Sequence, residues 1–384
     1  MENAQLLFRE EMLNACMNRK EKTMKIKASR FYTAKDLRIA DIDLPAPKEN
    51  EVQIKVMFAG ICGSDLHEYE GGPIFTPGDA PQYITGCVNP VTIGHEFAGI
   101  VSAVGPNVKN FKVGDHVVPR PLVTCGKCAS CKAGRWNTCD HLNFIGYSSD
   151  NGGFAEYANF REDFVHHLPD DMPFEQGALI EPLAVSYHSL GVGHFEAGQD
   201  AVVAGAGPIG LGVMAALRAK GAGKIIAVQR KGIRQTNAAE YADVVLDPVD
   251  DDVPAKILEL TGGKGADVAF EATSDGSAFD VLFNSIRAEG YVVVISLSTK
   301  PFEIDPMALV MHERKVLGSL CYTAQDFEDV IELLHTGKLK IPGFITRKIS
   351  LDDLVTEGFE VLCGPEKKKQ IKILATPVKD LLDK

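Results

Sequence analysis

AVVAGAGPIG, residues 201–210, is the stretch of this sequence that decides the fold. Four small apolar residues predict a buried strand, and the pattern G-x-G-x-x-G follows that strand at once. In such a pattern Gly205 permits a tight turn, Gly207 lets the backbone approach a pyrophosphate, and Gly210 lets a helix pack against the strand. We therefore predict a dinucleotide-binding turn; the alternative is a glycine-rich turn without a ligand.

Strand and helix patterns alternate along the second half of the chain. The first helix opens with Pro208 and Ile209, and its free N–H groups would face phosphate oxygens. The candidate strands are residues 201–204, 225–228, 244–246, 268–270, 291–296 and 316–320. Helical patterns such as 208–220 and 233–241 lie between them. This alternation predicts a parallel sheet covered on both faces, which with six strands forms a doubly wound Rossmann domain.

The first half of the chain, from Met24 to about residue 185, has the pattern of short β segments. In residues 52–56, VQIKV, apolar and polar residues alternate, which predicts a strand with one buried face. Residues 99–105 are an apolar run between glycines, and a Gly-Asp turn precedes residues 116–118. We predict a twisted, mostly antiparallel β domain, which the strand-like residues 371–374 rejoin from the C terminus.

Length, charge and cysteine distribution narrow the class of protein. A chain of 384 residues with 45% hydrophobic content exceeds what one core usually sustains, so we expect two domains. The formal net charge of -12 repels nucleic acid and membrane lipid, which favours a small-molecule substrate. Four of the nine cysteines are clustered, which favours metal binding in a reducing, cytoplasmic compartment. Residues 1–23 lack the features of a secretory signal, and we assign this N-terminal extension no function.

The position expected to contact the adenosine ribose departs from the usual pattern. Domains that bind NAD place Asp or Glu about 20 residues after the glycines. Gln229 occupies that position, and Arg230, Lys231 and Arg234 follow it. Cations would attract a 2′-phosphate that a carboxylate would repel, so we favour NADP over NAD. The alternative is a solvated basic face on the second helix.

Four cysteines form a specific metal-binding pattern. Cys125, Cys128, Cys131 and Cys139 have the spacing C-x2-C-x2-C-x7-C, so one loop can deliver four thiolates to a tetrahedral ion. Four sulfur ligands leave no open position, which predicts a structural zinc site. The spacing before the last cysteine, followed by Asp140, disfavours an iron-sulfur cluster. The acidic total disfavours a zinc-ribbon module for nucleic acid.

A second metal site would have to be assembled from distant segments. Cys62 lies on a glycine-flanked turn, His95 lies in the tripeptide Gly-His-Glu, and Glu181 lies just before the second domain. A thiolate, an imidazole and a carboxylate leave one zinc position open to water or substrate, as a catalytic zinc requires. Each residue alone is ordinary, because a lone histidine is more often a core or surface residue and a lone glutamate a solvated charge. Their occurrence together favours the metal site.

These segments together resemble the zinc-containing medium-chain alcohol dehydrogenases. The resemblance covers residues 24–377 and rests on GICGSDLH at 60–67, GHE at 94–96, the four-cysteine loop, EPL at 181–183 and GAGPIG at 205–210. Glu181 in place of a second cysteine, with HEYEGGPIF at 67–75, is most similar to the sorbitol and 2,3-butanediol (acetoin/diacetyl reductase) dehydrogenase branch. The family fold implies a GroES-like β catalytic domain at residues 24–181, a Rossmann domain at 182–320, and a return of 321–384 to the catalytic domain.

The resemblance implies a dehydrogenase that transfers hydride between NADP(H) or NAD(H) and a secondary alcohol or its ketone. Zinc would be held by Cys62, His95 and Glu181. Glu96 would be either an exchangeable fourth ligand or a neighbour of the ligands. The metal would polarise a ketone or favour ionisation of an alcohol.

The resemblance also assigns a proton relay to Ser64 and His67. A hydroxyl passes on a proton by rotation, and an imidazole titrates near physiological pH. The alternative is that Ser64 caps a helix and that His67 is a surface imidazole.

Substrate and assembly are implied by the resemblance alone. It favours 2,3-butanediol and acetoin, with sorbitol-like polyols or general secondary alcohols as alternatives, and a homodimer or homotetramer formed through the dinucleotide domain. Two rival classes remain open. One is a zinc-free quinone reductase on the same scaffold, and the other is a noncatalytic, NADP-binding, zinc-stapled interaction protein.

Overall fold

The computed structural model describes residues 23–298 and 300–382. The extension that we delimit as residues 1–23 therefore lies outside the described residues, apart from Thr23. That residue is already the first of a strand. Within the described ranges, no helix has the length and apolar character needed to cross a membrane.

Strands dominate the first half of the chain and alternate with helices in the second. In the part that the structure describes, the strands are β1 (Thr23–Thr33), β2 (Asp36–Pro45), β3 (Glu51–Gly60), β4 (Glu96–Val104), β5 (His116–Pro119), β6 (Leu122–Val123), β7 (Asn143–Phe144), β8 (Tyr157–Arg161), β9 (Val165–His167), β10 (Ala201–Ala204), β11 (Ile225–Val228), β12 (Val244–Leu246), β13 (Ala266–Glu271), β14 (Ile286–Val294), β15 (Lys315–Gly318), β16 (Ile345–Ser350) and β17 (Lys372–Thr376).

The helices vary from single turns to longer elements. Over the same described residues they are α1 (Gly63–Gly71), α2 (Ala129–Lys132), α3 (Ile145–Ser148), α4 (Phe174–Gly177), α5 (Ile180–Val192), α6 (Pro208–Ala219), α7 (Ile233–Ala238), α8 (Val253–Leu260), α9 (Gly276–Ser285), α10 (Pro306–Met311), α11 (Ala324–His335) and α12 (Glu360–Cys363).

A six-stranded parallel sheet confirms the predicted Rossmann domain. Its strand order is β12-β11-β10-β13-β14-β15, with β10 between β11 and β13. The strands predicted at 201–204, 225–228 and 244–246 have the predicted bounds. The strand predicted at 291–296 begins earlier, because Ile286 already pairs with Ala266 across an irregularity in the register. The order reverses beside β10, so the turn after β10 opens at the switch point where such sheets bind ligands.

A seven-stranded sheet forms the β domain. Its order is β16-β17-β3-β4-β5-β9, with β8 also paired to β3, and only β16 and β17 run parallel. The predicted C-terminal return is present, since Leu374 of β17 pairs with Gly60 of β3. The prediction of one solvated face in residues 52–56 is wrong at Gln53, which is buried. Because β3 lies between β4 and β8, Gln53 is covered and donates to Asn159 Oδ1 at 3.3 Å.

Two different cores hold the elements that meet at the site. Val203 and Leu211 of the Rossmann domain share one core with Leu183 of α5 and Phe327 of α11. The strands of the β domain enclose another core. Helix α5 spans the domain boundary that we predict between residues 181 and 182. Residues on α5 are thus anchored mainly by the first core, while those at the ends of β3 and β4 are anchored by the second.

Candidate active site and cofactor cleft

The glycine turn after β10 has the geometry that its sequence predicts. Gly205 has a φ of +93°, and a Cβ added to Gly210 would lie 1.8 Å from the carbonyl oxygen of Gly205. Larger residues are therefore excluded at both positions. A Cβ added to Gly207 would meet only Arg234, at 3.8 Å, so the backbone here is open on one side. Pro208 is the first residue of α6, as predicted.

A cavity of about 420 Å³ lies beside this turn. Its lining includes five residues that the sequence predicts to contact a cofactor: Gly205, Gly207, Gln229, Arg230 and Arg234. Asp275, which the sequence analysis did not single out, also lines the cavity. Hydrogen bonds from Ser277, and then the charge of Arg230, lower the pKa of Asp275.

The basic residues after β11 have different surroundings. Gln229 Oε1 accepts a hydrogen bond from the N–H of Ala206 at 2.8 Å, which ties the end of β11 to the glycine turn. Arg230 lies 3.7 Å from Asp275, and Lys231 forms an ion pair with Asp250. Lys231 is therefore already paired, and its partner lies 19 positions away, beyond the reach of a local pattern.

Arg234 is the basic residue whose environment fits an anionic ligand. Its Nε is buried and has no hydrogen-bond partner among the described residues, and burial lowers the pKa of the guanidinium. A buried cation without a partner is costly unless an anion completes the site. The open face at Gly207 and the start of α6 offer a phosphate group a place beside it.

Strand pairing brings two predicted metal ligands together. Gly60, at the end of β3, pairs with Glu96, at the start of β4. Cys62 follows β3 and His95 precedes β4, so the two side chains lie at the same end of the sheet. The ligand atoms of Cys62, His95 and Glu96 all lie within 4.8 Å of one another.

Glu96 has a buried lysine as its partner. Lys372 Nζ of β17 lies 2.6 Å from Glu96 Oε2 and 2.8 Å from Oε1, and it also donates to the carbonyl oxygen of Ile61 at 3.0 Å. Burial alone would lower the pKa of Lys372, but the Glu96 carboxylate raises it. A Cβ on Gly60 would lie 2.3 Å from Glu96 Oε2, so the glycine makes room for this ion pair.

Glu181 lies in the first turn of α5 and is buried. Its carboxylate does not belong to the group of ligand atoms that Cys62, His95 and Glu96 form in the described part of the chain. Burial, opposed by His95 and reinforced by Glu96, raises the pKa of Glu181 to about 7. Both residues act on Glu181 electrostatically, so its carboxylate lies near them although it is outside the group of ligand atoms.

The buried carboxylate of Asp65 contacts two of the candidate metal ligands, Cys62 and His95. Its Oδ2 accepts a hydrogen bond from the N–H of Cys62 at 2.9 Å, and its Oδ1 lies 3.6 Å from His95 Nδ1. Burial would lower the pKa of His95, but the charges of Asp65 and Cys62 raise it well above its ordinary value. A carboxylate behind a ligating imidazole fixes the ring orientation and strengthens the ligand. In the sequence, Asp65 stands out only as part of the GICGSDLH motif, which predicts no separate role for it.

The chemistry of this buried site fits a divalent cation. It gathers the thiol of Cys62 and the carboxylates of Asp65, Glu96 and Glu181, while Lys372 is the cation that pairs with one of them. Buried anions require compensating positive charge. A sulfur, a nitrogen and oxygen donors form the ligand set that zinc accepts.

Ser64 and His67 are not directly connected. Ser64 lies within the first turn of α1, whose N-cap is Cys62, so the alternative that Ser64 caps the helix is wrong. The hydroxyl of Tyr147 lies 2.8 Å from Ser64 Oγ. His67 is exposed, and no hydrogen bond joins it to Ser64 among the described residues.

The four predicted structural ligands come together in one loop. The sulfur atoms of Cys125, Cys128, Cys131 and Cys139 all lie within 4.8 Å of one another. Backbone N–H groups point at them, as at Cys139 Sγ, which accepts from the N–H of Cys125 at 3.3 Å. Hydrogen bonds from the backbone of Asp140 and Cys131 lower the pKa of Cys128 to about 6. Backbone hydrogen bonds also lower the pKa of Cys125, whereas burial raises the pKa of Cys131 to about 12. The backbone thus favours the thiolate, the form that binds metal, at Cys125 and Cys128.

Comparison with known proteins defines the class. Residues 48–170 match the Alcohol dehydrogenase GroES-like domain, and residues 208–336 match the Zinc-binding dehydrogenase family. The (R,R)-butanediol dehydrogenase of Bacillus subtilis (strain 168) is 43% identical over 354 residues, which cover 92% of this chain and 100% of that protein. The chain belongs to the zinc-binding alcohol dehydrogenase family and is an enzyme, so the noncatalytic alternative is excluded.

The comparisons also confirm the branch of the family that the sequence motifs indicate. The crystal structure of 2R,3R-butanediol dehydrogenase from Bacillus subtilis has a TM-score of 0.86 and 42% identity, and the match covers 92% of this chain and 100% of that one. A structure described as a zinc-binding dehydrogenase from Sinorhizobium meliloti 1021, bound to NADP, has a TM-score of 0.83 and 30% identity, with 92% and 100% covered.

Proposed function

We propose that this enzyme interconverts 2,3-butanediol and acetoin by zinc-dependent hydride transfer with NADP(H). The observation that carries the proposal is that the ligand atoms of Cys62 and His95 lie within 4.8 Å of each other and of the Glu96 carboxylate, at a site whose charges also act on the buried Glu181. Relatives named as butanediol dehydrogenases, at 43% and 40% identity, support the substrate. A zinc-free quinone reductase would have no need of such a group.

The metal would be held by Cys62, His95 and Glu181. Because Lys372 pairs with both oxygens of Glu96, we assign Glu96 to the neighbourhood of the ligands rather than to the metal itself. When bound, zinc supplies a Lewis acid for the substrate oxygen, and the nicotinamide supplies or accepts the hydride. The chain contributes the position of these groups, a buried setting and a path for the proton.

The proton path begins at Ser64. Ser64 lies two residues after Cys62, in the first turn of α1. Its hydroxyl is therefore well placed to exchange a proton with a substrate oxygen bound beside Cys62. His67, exposed on the same helix, would complete the path to solvent. Since no direct hydrogen bond joins the two residues, a group of the bound cofactor or a water molecule has to bridge them.

The preference for NADP is supported by Arg234 and Arg230. The Nε of Arg234 is buried beside the glycine turn and has no hydrogen-bond partner among the described residues, and Arg230 lines the same cavity. Gln229 places no negative charge where a 2′-phosphate would lie. NAD remains the alternative, because Asp275 also lines the cavity and competes for Arg230.

The four-cysteine loop would hold a second, structural zinc ion. The division of the chain at residues 181 and 320 and a cytoplasmic location are also part of the proposal. The division follows the family fold, and the location follows from cysteine usage.

The protein would form a homodimer through the Rossmann sheet. Strand β15 is the last strand of that sheet in the described residues. Met307, Val310 and Met311 of the neighbouring helix α10 are each about 70% exposed, an apolar surface that suits a second copy. Light scattering should give twice the chain mass, and a Val310→Asp variant should be monomeric. A tetramer is the alternative outcome.

One matrix of assays tests the function. NADPH and NADH are each offered with acetoin, butanone and fructose, and kcat/KM is measured before and after treatment with a chelator. We expect the highest kcat/KM for NADPH with acetoin and its loss on chelation. Full activity of protein that retains only the zinc of the four-cysteine loop would exclude the proposal.

A further inference from the structure

Tyr147 is a buried hydroxyl group that the mechanism above does not use. Its hydroxyl lies 2.8 Å from Ser64 Oγ and 2.9 Å from Asp65 Oδ1. Its ring stacks on Phe75, with centroids 5.4 Å apart, and lies 5.1 Å from the ring of His95. The side chain therefore contacts both Ser64, the start of the proposed proton path, and Asp65, the carboxylate next to Cys62 and His95.

The backbone that carries Tyr147 is held firmly. Tyr147 lies in the single-turn helix α3, and a Cβ added to the preceding Gly146 would lie 2.1 Å from the carbonyl oxygen of Gly94. Helix α3 thus packs directly against the segment that carries His95. Only the phenolic hydrogen retains freedom to move, by rotation about the bond from ring carbon to oxygen.

That hydrogen has two possible acceptors and can serve only one of them at a time. When Tyr147 donates to Asp65, its oxygen accepts the hydroxyl hydrogen of Ser64. The free lone pair of Ser64 is then turned toward the substrate. When Tyr147 donates to Ser64 instead, the hydrogen of Ser64 is released toward the substrate. Asp65 keeps its bond from the N–H of Cys62 in both arrangements.

We propose that Tyr147 is a positioning residue whose rotating hydroxyl presents Ser64 as an acceptor to an alcohol and as a donor to a ketone. The proposal rests on the proposed function, since it concerns the substrate oxygen of that reaction. Tyr147 makes and breaks no covalent bond in this exchange. Its hydroxyl stays protonated in both arrangements, so its charge does not change. Rotation of the Tyr147 hydroxyl thus lets Ser64 accept a proton in alcohol oxidation and donate one in ketone reduction. The buried hydroxyl of Tyr147 keeps a hydrogen-bond partner in both cases.

The test is Tyr147→Phe, which keeps the ring and removes the hydroxyl. Tyr187→Phe is the matched control, because Tyr187 is also buried and its hydroxyl donates to Asp329 at 2.9 Å, in a different part of the core. We expect Tyr147→Phe to lower kcat about 10-fold in both acetoin reduction and butanediol oxidation, since one lost hydrogen bond of about 1.4 kcal/mol corresponds to tenfold. KM, cofactor affinity from nicotinamide fluorescence and bound zinc should stay near wild type, and any fall in the unfolding midpoint should match that of Tyr187→Phe, which also loses a hydrogen bond to a carboxylate.

A double variant at Tyr147 and Ser64 tests whether Tyr147 acts through Ser64 or whether its replacement only disturbs the structure of the site. If Tyr147 acts through Ser64, the double variant Ser64→Ala/Tyr147→Phe should be no slower than Ser64→Ala alone. Additive losses, or equal activity of Tyr147→Phe and Tyr187→Phe, would overturn the inference. A wild-type chain that binds zinc and cofactor but turns over none of the three ketones would overturn the proposed function instead.

Discussion

Lys372 Nζ lies 2.6 Å from Glu96 Oε2, and both side chains are buried. The lysine is the first residue of β17 and the glutamate is the first residue of β4, so the C-terminal return contributes a side chain to the proposed active site. This ion pair supports our proposal that Glu96 is a neighbour of the metal ligands, because a carboxylate held on both oxygens by an ammonium group is a poorer metal ligand.

Replacing Lys372 by Met should leave Glu96 buried without its cation. Breaking one partner of a buried pair removes roughly 3 kcal/mol of unfolding free energy, which urea denaturation would measure. Lys379→Met, which removes an exposed partner of Asp352, should change little and serves as the control. The double variant Lys372→Met/Glu96→Gln should recover much of the lost unfolding free energy. An equal loss in Lys372→Met and Lys379→Met would contradict the assignment of Lys372 and Glu96 as a stabilising buried pair.

Replacing Arg234 by Ala should weaken binding of NADPH far more than binding of NADH. A hydrogen bond to a charged group contributes about 1.5–3 kcal/mol, so the Kd for NADPH should rise roughly 10- to 100-fold. Arg218→Ala is the control, since Arg218 pairs with Asp243 and does not line the cavity. Equal weakening of both cofactors by Arg234→Ala would show that Arg234 serves folding or the pyrophosphate and not the 2′-phosphate.

Replacing Gln229 by Asp should shift the preference toward NADH. A carboxylate at the end of β11 would accept hydrogen bonds from the ribose hydroxyls and repel a 2′-phosphate. The ratio of kcat/KM for NADPH to that for NADH should fall by about tenfold or more, a difference of about 1.4 kcal/mol. Gln229→Asn is the neutral control. An unchanged ratio in the Asp variant would count against the proposed cofactor.

Elemental analysis should find two zinc ions per chain. Cys62→Ser should retain one and lose turnover, while Cys128→Ser should retain one and lower the unfolding midpoint, because a four-sulfur site contributes to folding. Cys363→Ser, on the short helix α12, should retain both ions. A Cys128→Ser variant that keeps two ions and an unchanged midpoint would rule out the structural site.

Acid should weaken the attachment of α11 through Asp326. Burial of Asp326 would raise the pKa of its carboxyl group. Hydrogen bonds from His188, at 2.8 Å, and from Thr323 outweigh burial and hold the pKa below the ordinary 3.8. A lowered pKa means that the stabilisation is fully present above pH 3.8 and is lost as the pH falls through the folded-state value. Asp326→Asn should therefore be less stable than wild type by about 1–2 kcal/mol at pH 7, with a difference that shrinks below pH 4.

Asp171→Asn is the matched control for that experiment. Asp171 also contacts a histidine, His335 at 3.1 Å, but its side chain is 79% exposed. Its replacement should leave the unfolding free energy near that of wild type at both pH values. If the difference in unfolding free energy between wild type and Asp326→Asn does not change with pH, the loss comes from disturbed packing around the amide and not from a lost ionic hydrogen bond.

The sequence was informative wherever function depends on neighbouring residues. The glycine turn is local, since the positive φ of Gly205 and the contact between Gly210 and Gly205 arise within six residues. The four-cysteine loop is local for the same reason. Motif spacing was therefore sufficient to predict the turn and the position of the metal-binding loop.

Residues that act across the fold gave weaker signals. Lys372 lies between Ile371 and Ile373 in a strand, and a lysine in an apolar strand hints at a buried partner without identifying it. Tyr147 gave no signal at all, because its contacts with Ser64 and Asp65 join residues more than 80 positions apart. Lys231 was expected beside the cofactor, but tertiary contacts pair it with Asp250.

The sequence by itself determined the two-domain architecture and the cofactor turn, and it predicted which residues would bind metal, because periodicity, glycine geometry and ligand spacing are local properties of the chain. Only the tertiary structure decided that Lys372 pairs with Glu96, that Asp65 and Tyr147 contact the residues around the candidate ligands, and that the buried Nε of Arg234 has no hydrogen-bond partner among the described residues. These relationships depend on which strands pair and which side chains are buried together, and both follow from the packing of distant segments into common cores.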